Sequence, residues 1–314
     1  MGGGAWLDLL LLALGAMAVL LGLTVLGLLL RARSPSGHIS PTLDLYMTRV
    51  NSWWAMVILF TLALMLGRWA VVLLFAVAGF AALREFYTYS DHAPADHWAL
   101  AAAFYLVLPL QFLFVALDWQ RAFAVFIPVY VFLLLPVLAA LRGDAQRFLA
   151  RVSGTQWGLM ICAFCLSHIP ALIWLGDASA RAGVLLIAFL IIVVQSADLV
   201  DYFVGRYRGQ RRIVKPLSPK TWEGAGAGLL AAALLGAALS WLTPFGVAGA
   251  ALMAVIAAAV GQCGALVLSA IRREKGVRDW SHLIPGQGGV LNQLDSAIFA
   301  APVFFHLTRL WWGG

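Results

Sequence analysis

Two stretches of an otherwise apolar chain carry the residues able to handle phosphate. The first opens with Asp198 near the end of an apolar run, continues through Arg206, Arg208, Arg211, Arg212 and Lys215, and closes on Ser218-Pro219-Lys220-Thr221 ahead of a Gly- and Ala-rich segment. A carboxylate in hydrocarbon costs several kcal/mol unless it is paired or wet, so Asp198 marks a functional position. Lys220 and the two hydroxyls, placed just before a helix start, are donors suited to polyphosphate. The second stretch runs Ser269, Arg272, Arg273, Lys275, Arg278, Asp279, then Pro285-Gly286-Gln287-Gly288-Gly289, Asn292 and Asp295-Ser296. Its glycines allow backbone to approach a ligand closely. Asp295 and Ser296 read as the opening of the last apolar run, where a carboxylate can hold a divalent cation. A basic loop alone is ordinarily a topology signal, and a glycine turn alone is ordinarily a turn. Together the stretches supply cations for phosphates and carboxylates for Mg²⁺, the needs of a phosphoryl- or nucleotidyl-transfer enzyme acting on a lipid phosphate.

The elements that hold these residues must be membrane helices. The chain has 314 residues, 63% hydrophobic and 11% charged, with a mean hydropathy of +0.91. A soluble domain carries about 25% charged residues, so a soluble protein is excluded, and disorder needs the opposite composition. Long unbroken apolar runs also exclude the alternating strands of a barrel. The expectation is an all-α polytopic membrane protein with about ten (eight to ten) transmembrane helices. The runs near Trp53–Leu66 and Trp69–Leu83 are short and read either as two tilted spans or as one re-entrant pair. Ten spans with both ends outside would leave only Arg68, Arg121, Arg181 and Arg309 of the 21 basic residues on the outer side. Arg31, Arg142 and both basic loops then face the cytoplasm, and the loops, two spans apart, can meet. The net charge of +7 is therefore assigned to membrane lipid, with no nucleic acid partner. Cys162 and Cys165 read as packing, His168 with Pro170 as a kink with a satisfied imidazole, and Ala225–Gly236 as close helix packing.

The motifs resemble those of the phosphatidate cytidylyltransferase (CDP-diacylglycerol synthase) family. The resemblance rests on Ser269-x-Ile271-Arg272-Arg273, Arg278-Asp279, Pro285-Gly286-x-Gly288-Gly289 and Leu294-Asp295-Ser296. Upstream it rests on Asp198, Tyr202, Gly205-Arg206 and Ser218 to Gly224. It covers residues 195–314, with weaker similarity over 1–194, for instance at Arg84-Glu85-Phe86. Against the family pattern, Arg272 and Arg278 stand for Lys, Gln287 for His and Leu268 for an acidic residue. Gly264-Ala265 stands for Gly-Asp, and Asn292-Gln293-Leu294-Asp295 for Asp-Arg-x-Asp. The Ser-Pro-Lys-Thr stretch is one residue shorter. Of the carboxylates that the family uses for metal, at positions 265, 292 and 295, only Asp295 remains.

The resemblance implies a membrane enzyme that transfers CMP from CTP to phosphatidate or a related lipid phosphate, with Mg²⁺ as cofactor. It implies a bacterial inner or plasma-type membrane, with a homodimer as the assembly to test. Asp198, Lys220, Arg272 and Asp295 are the expected catalytic residues, and Asp295, Asp198 and Asn292 the expected metal ligands. Lys215, Ser218, Thr221, Ser269, Arg273, Arg278, Asp279, Gly286, Gln287, Gly288 and Gly289 are expected to bind substrate. The substituted carboxylates motivate a second reading: a paralogue that binds lipid phosphate or a partner without nucleotidyl transfer.

Overall fold

A computed structural model describes residues 3–33, 41–91, 93, 96–141, 144–175, 181–215 and 218–312; Arg142 lies outside the described residues. Its long helices are α1 (Gly3–Ala32), α2 (Pro41–Leu66), α3 (Arg68–Thr88), α4 (His97–Ala116), α5 (Gln120–Ala140), α6 (Phe148–Leu175), α7 (Arg181–Arg208), α8 (Trp222–Ala238), α9 (Gly246–Glu274) and α10 (Val290–Trp312). Among the described residues, nine of these are long and apolar enough to cross a membrane. The tenth, α8, has 17 residues, about 26 Å at ~1.5 Å per residue, and returns the chain between α7 and α9. Among the described residues there is no strand, only isolated bridges at Arg212–Thr221 and Ile284–Gly288. The protein is a polytopic helical membrane protein, as its composition requires.

The two short apolar runs are two full helices. The break between α2 and α3 falls at Gly67, whose φ of 92° is open to glycine. Prolines shape the next three helices: α4, α5 and α6 carry wide π turns at Ala103–Val107, Phe126–Val131 and Met160–Cys165. Pro109, Pro128 and Pro170 lie within or just after these turns, where a missing N–H breaks the regular ladder. One apolar core joins both halves of the chain, from Phe112 and Leu166 to Ala257 and Phe304. Cys162 is buried and unpaired within it. His168 is wholly buried there, but only Nδ1 is bonded, to the Phe164 carbonyl at 2.8 Å, and Nε2 has no partner. The rings of Phe123, Phe164 and Phe305 surround the imidazole, with the His306 ring 5.4 Å away.

Candidate active site

The candidate site begins on α7. Asp198 and Asp201 are three residues apart and so share one helix face. Helix α8 starts beside them because Thr221 caps it, its hydroxyl accepting the Gly224 N–H at 3.1 Å. Gly224 is needed here: a Cβ at this position would stand 2.6 Å from the Asp201 carbonyl oxygen. The connecting loop is pinned at its base. Ile213 N–H donates to the Lys220 carbonyl at 3.0 Å, and Trp222 N–H to the Arg211 carbonyl at 2.9 Å. The Glu223 carboxylate accepts from the Gln210 and Arg211 amides. This pinning aims Lys220 back at α7, where Nζ lies 2.7 Å from Asp201 Oδ2 and 3.3 Å from Asp198 Oδ1. Burial works against the Lys220 charge, but Asp198, Asp201 and Asp295 outweigh it and raise its pKa.

The second stretch meets the first at this point. Gln195 on α7 donates to the Gln293 carbonyl on α10 at 2.8 Å. Asp295 stands in the electrostatic field of Asp198, Lys220 and Arg272. Arg272, near the end of α9, donates to Ser269 Oγ at 3.0 Å and approaches the Arg278 carbonyl at 3.5 Å. Asp198, Lys220, Arg272 and Asp295 thus surround one region, with Ser269 at its edge. Ser218 is buried just behind, accepting the Lys220 N–H at 3.3 Å. Lys215, Arg273 and Arg278 are exposed at the rim.

Several expected residues hold the loop rather than face the pocket. Asn292 uses both ends of its amide: Nδ2 donates to Asp279 Oδ1 at 2.8 Å, and Oδ1 accepts the Trp280 N–H at 3.0 Å. Trp280 stacks on Phe86 of α3 at 5.6 Å. The Gly286–Gly289 turn leans on α2, where Arg49 Nε donates to the Gly286 carbonyl and Ser52 Oγ to the Pro285 carbonyl, both at 2.8 Å. Gln287 returns a bond to the Arg49 carbonyl at 3.3 Å. Helix α10 starts at Val290, so Asp295 stands in its second turn rather than at its opening. Its first amides are already engaged. The buried Glu85 carboxylate of α3 accepts from Val290 N–H at 2.9 Å, Leu291 N–H at 2.8 Å and Ser281 Oγ at 2.7 Å.

Sequence reasoning did not assign four residues that shape the site. Asp201 is visible as the i+3 neighbour of Asp198. Arg49 and Arg206 converge on the Tyr202 hydroxyl, Arg206 at 3.1 Å. Glu85 carried only the weak family similarity at Arg84-Glu85-Phe86 and its charge in an apolar helix, neither of which assigns it a role.

The sequence profile of the Cytidylyltransferase family matches residues 47–311. The chain belongs to that family. This cytidylyltransferase-family chain is 36% identical over 264 residues to Uncharacterized protein YnbB of Escherichia coli (strain K12), covering 83% of this chain and 86% of that protein. It is 36% identical over 131 residues to Phosphatidate cytidylyltransferase of Haemophilus influenzae, covering 40% of this chain and 46% of that protein. It is 33% identical over 131 residues to Phosphatidate cytidylyltransferase of Bacillus subtilis, covering 41% and 49% respectively. The chain thus spans about half the length of those two enzymes, whereas the family profile reaches well into its N-terminal half.

The resemblance implies a metal, and the described residues do not make a ligand set for one. Ala265 is buried and offers no oxygen. Asn292 Oδ1 is taken by Trp280, and Asp198 and Asp201 close on Lys220. Among the described residues, no group of three or more His, Cys, Asp or Glu side chains is arranged to hold a metal ion.

Proposed function

We propose that this family member transfers CMP from CTP to a lipid phosphate, forming CDP-diacylglycerol when the acceptor is phosphatidate. The supporting observation is the convergence of the two basic stretches, with Lys220 and Asp198 from one beside Asp295 and Arg272 from the other. An oxygen of the lipid phosphate monoester attacks the α-phosphorus of CTP. The bond from that phosphorus to the β-phosphate oxygen breaks, and pyrophosphate leaves. A phosphate monoester is already anionic near neutral pH, so the step needs alignment and charge neutralisation rather than a strong base.

In this reading Arg272 and Lys220 face the reacting phosphates, and Lys215, Arg273 and Arg278 draw the anions to the rim. Ser269 and Ser218 position Arg272 and Lys220 through the bonds described above. The pocket lies on the side of the bilayer that holds CTP, the cytoplasmic face of a bacterial inner or plasma-type membrane.

The assay is direct: purified protein in detergent with labelled CTP, phosphatidate and Mg²⁺, followed by analysis for a CDP-lipid. Product formation supports the proposal, and absence of product with every common lipid phosphate overturns it. The loss of ligand character at Ala265 and Asn292 favours a second reading, a paralogue that retains lipid phosphate without transferring nucleotide. That protein would bind phosphatidate vesicles and release no pyrophosphate from CTP.

A further inference from the structure

The carboxylates of this pocket are organised around an ammonium. Lys220 Nζ lies 2.7 Å from Asp201 and 3.3 Å from Asp198, and the Lys220 and Asp201 side chains are 17% and 3% exposed. Mg²⁺ would instead demand near-octahedral oxygens at about 2.0–2.1 Å. An ion entering between Asp198 and Asp201 would have to expel Lys220, leaving a largely buried ammonium without its partners, a costly state. Nearby oxygens do not compensate. Asn292 Oδ1 accepts from Trp280 N–H, and Asp295 Oδ1 accepts from Ser296 N–H at 2.8 Å. Asp295, the third carboxylate, lies in the field of both Arg272 and Lys220.

We propose that Lys220 is the resident cation of the pocket, holding Asp198 and Asp201 where a divalent ion would otherwise sit, and that removing its charge uncovers a divalent-cation site on those two carboxylates. A lysine ammonium is charged at physiological pH, and the two carboxylates beside it favour that form. The inference does not rest on nucleotidyl transfer, because the same charge balance holds in a protein that only binds.

The test uses full-length protein in detergent without nucleotide, titrated with Mn²⁺, with the free ion read by electron paramagnetic resonance. Lys220→Met should bind a single Mn²⁺ about tenfold or more tighter than the wild type. Lys220→Arg, which keeps the charge, should match the wild type, and adding Asp198→Asn to Lys220→Met should remove the gain. A wild type that binds Mn²⁺ as tightly as Lys220→Met overturns the proposal. Should Lys220→Met not fold, the comparison of wild type with Asp198→Asn decides alone. Identical titrations are expected, and weaker Mn²⁺ binding in Asp198→Asn sinks the idea. The CDP-lipid assay reads something separate: a chain that makes no CDP-lipid leaves the charge balance standing, and a resident Mn²⁺ leaves the transferase reading standing.

Discussion

Asn292 differs from a carboxylate by one donor, and that donor decides its role. Its Nδ2 holds Asp279 at 2.8 Å, so Asn292→Asp would replace an attractive contact with two facing carboxylate oxygens. The variant should lose about 1–3 kcal/mol of stability, seen as a lower melting temperature in detergent. The loss should shrink at acid pH, where such a pair can share a proton. A wild-type melting temperature at neutral pH would show that the bond does not hold the loop. Lys220 has the opposite sign of pH dependence. Its raised pKa means that its contribution to stability is full below about 10.5 and is lost only as pH rises through the folded value. Asp198, Lys220, Arg272 and Asp295 were legible in the sequence because charge is conspicuous in an apolar chain. The roles of Asp201 and Asn292 were not, because each depends on a partner that folding brings in from another segment.

Helix α10 is positioned by α3. The first amides of a helix have no partner within it and carry its positive end, so a buried carboxylate there is favourable. Glu85 fills that place from 205 residues away in sequence, tying Val290 to the end of α3 while Trp280 packs on Phe86. Gly289 makes room for it, since a Cβ at that position would stand 2.6 Å from Glu85 Cδ. Glu85→Gln keeps the shape but presents an NH₂ to donors, and should destabilise the protein by about 1–3 kcal/mol. Thermal unfolding in detergent checks this, with Thr221→Ala, the α8 cap, expected to cost ~1 kcal/mol as a comparison. An unchanged melting temperature for Glu85→Gln would remove the cap from the account. The helices themselves were legible from apolar run length. The start of α10 at Val290 was not, because its cap comes from outside the local sequence. The turn before it was legible as a turn from Gly286 and Gly288, at φ 74° and 86°, but its support by α2 was not.

At the scale of the molecule, the site shares its face with a second polar network that joins three loops. Arg151 is buried against Asp96 at 2.8 Å, and the Asp91 carboxylate receives Arg147 at 2.8 Å and Lys275 at 3.6 Å. Removing Asp96 would leave Arg151 with only Asp144, at 3.4 Å, as a carboxylate partner, a larger loss than cutting the exposed Arg147 pair, which contributes about 0–1 kcal/mol. Both basic loops and this network sit at the same ends of the helices, and Arg68, Arg121 and Arg309 sit at the other. Charge bias of this kind sets orientation, and the proposed transfer needs the side of the membrane that holds CTP, so the bias and the proposal predict the same face to be cytoplasmic. In a variant lacking the three native cysteines, Arg212→Cys should react with a membrane-impermeant thiol reagent only after the cells are opened. Arg121→Cys, exposed on the opposite face, should react in intact cells once the reagent has passed any outer barrier. The reverse pattern would place the pocket away from CTP and end the transferase reading, however well the residues converge.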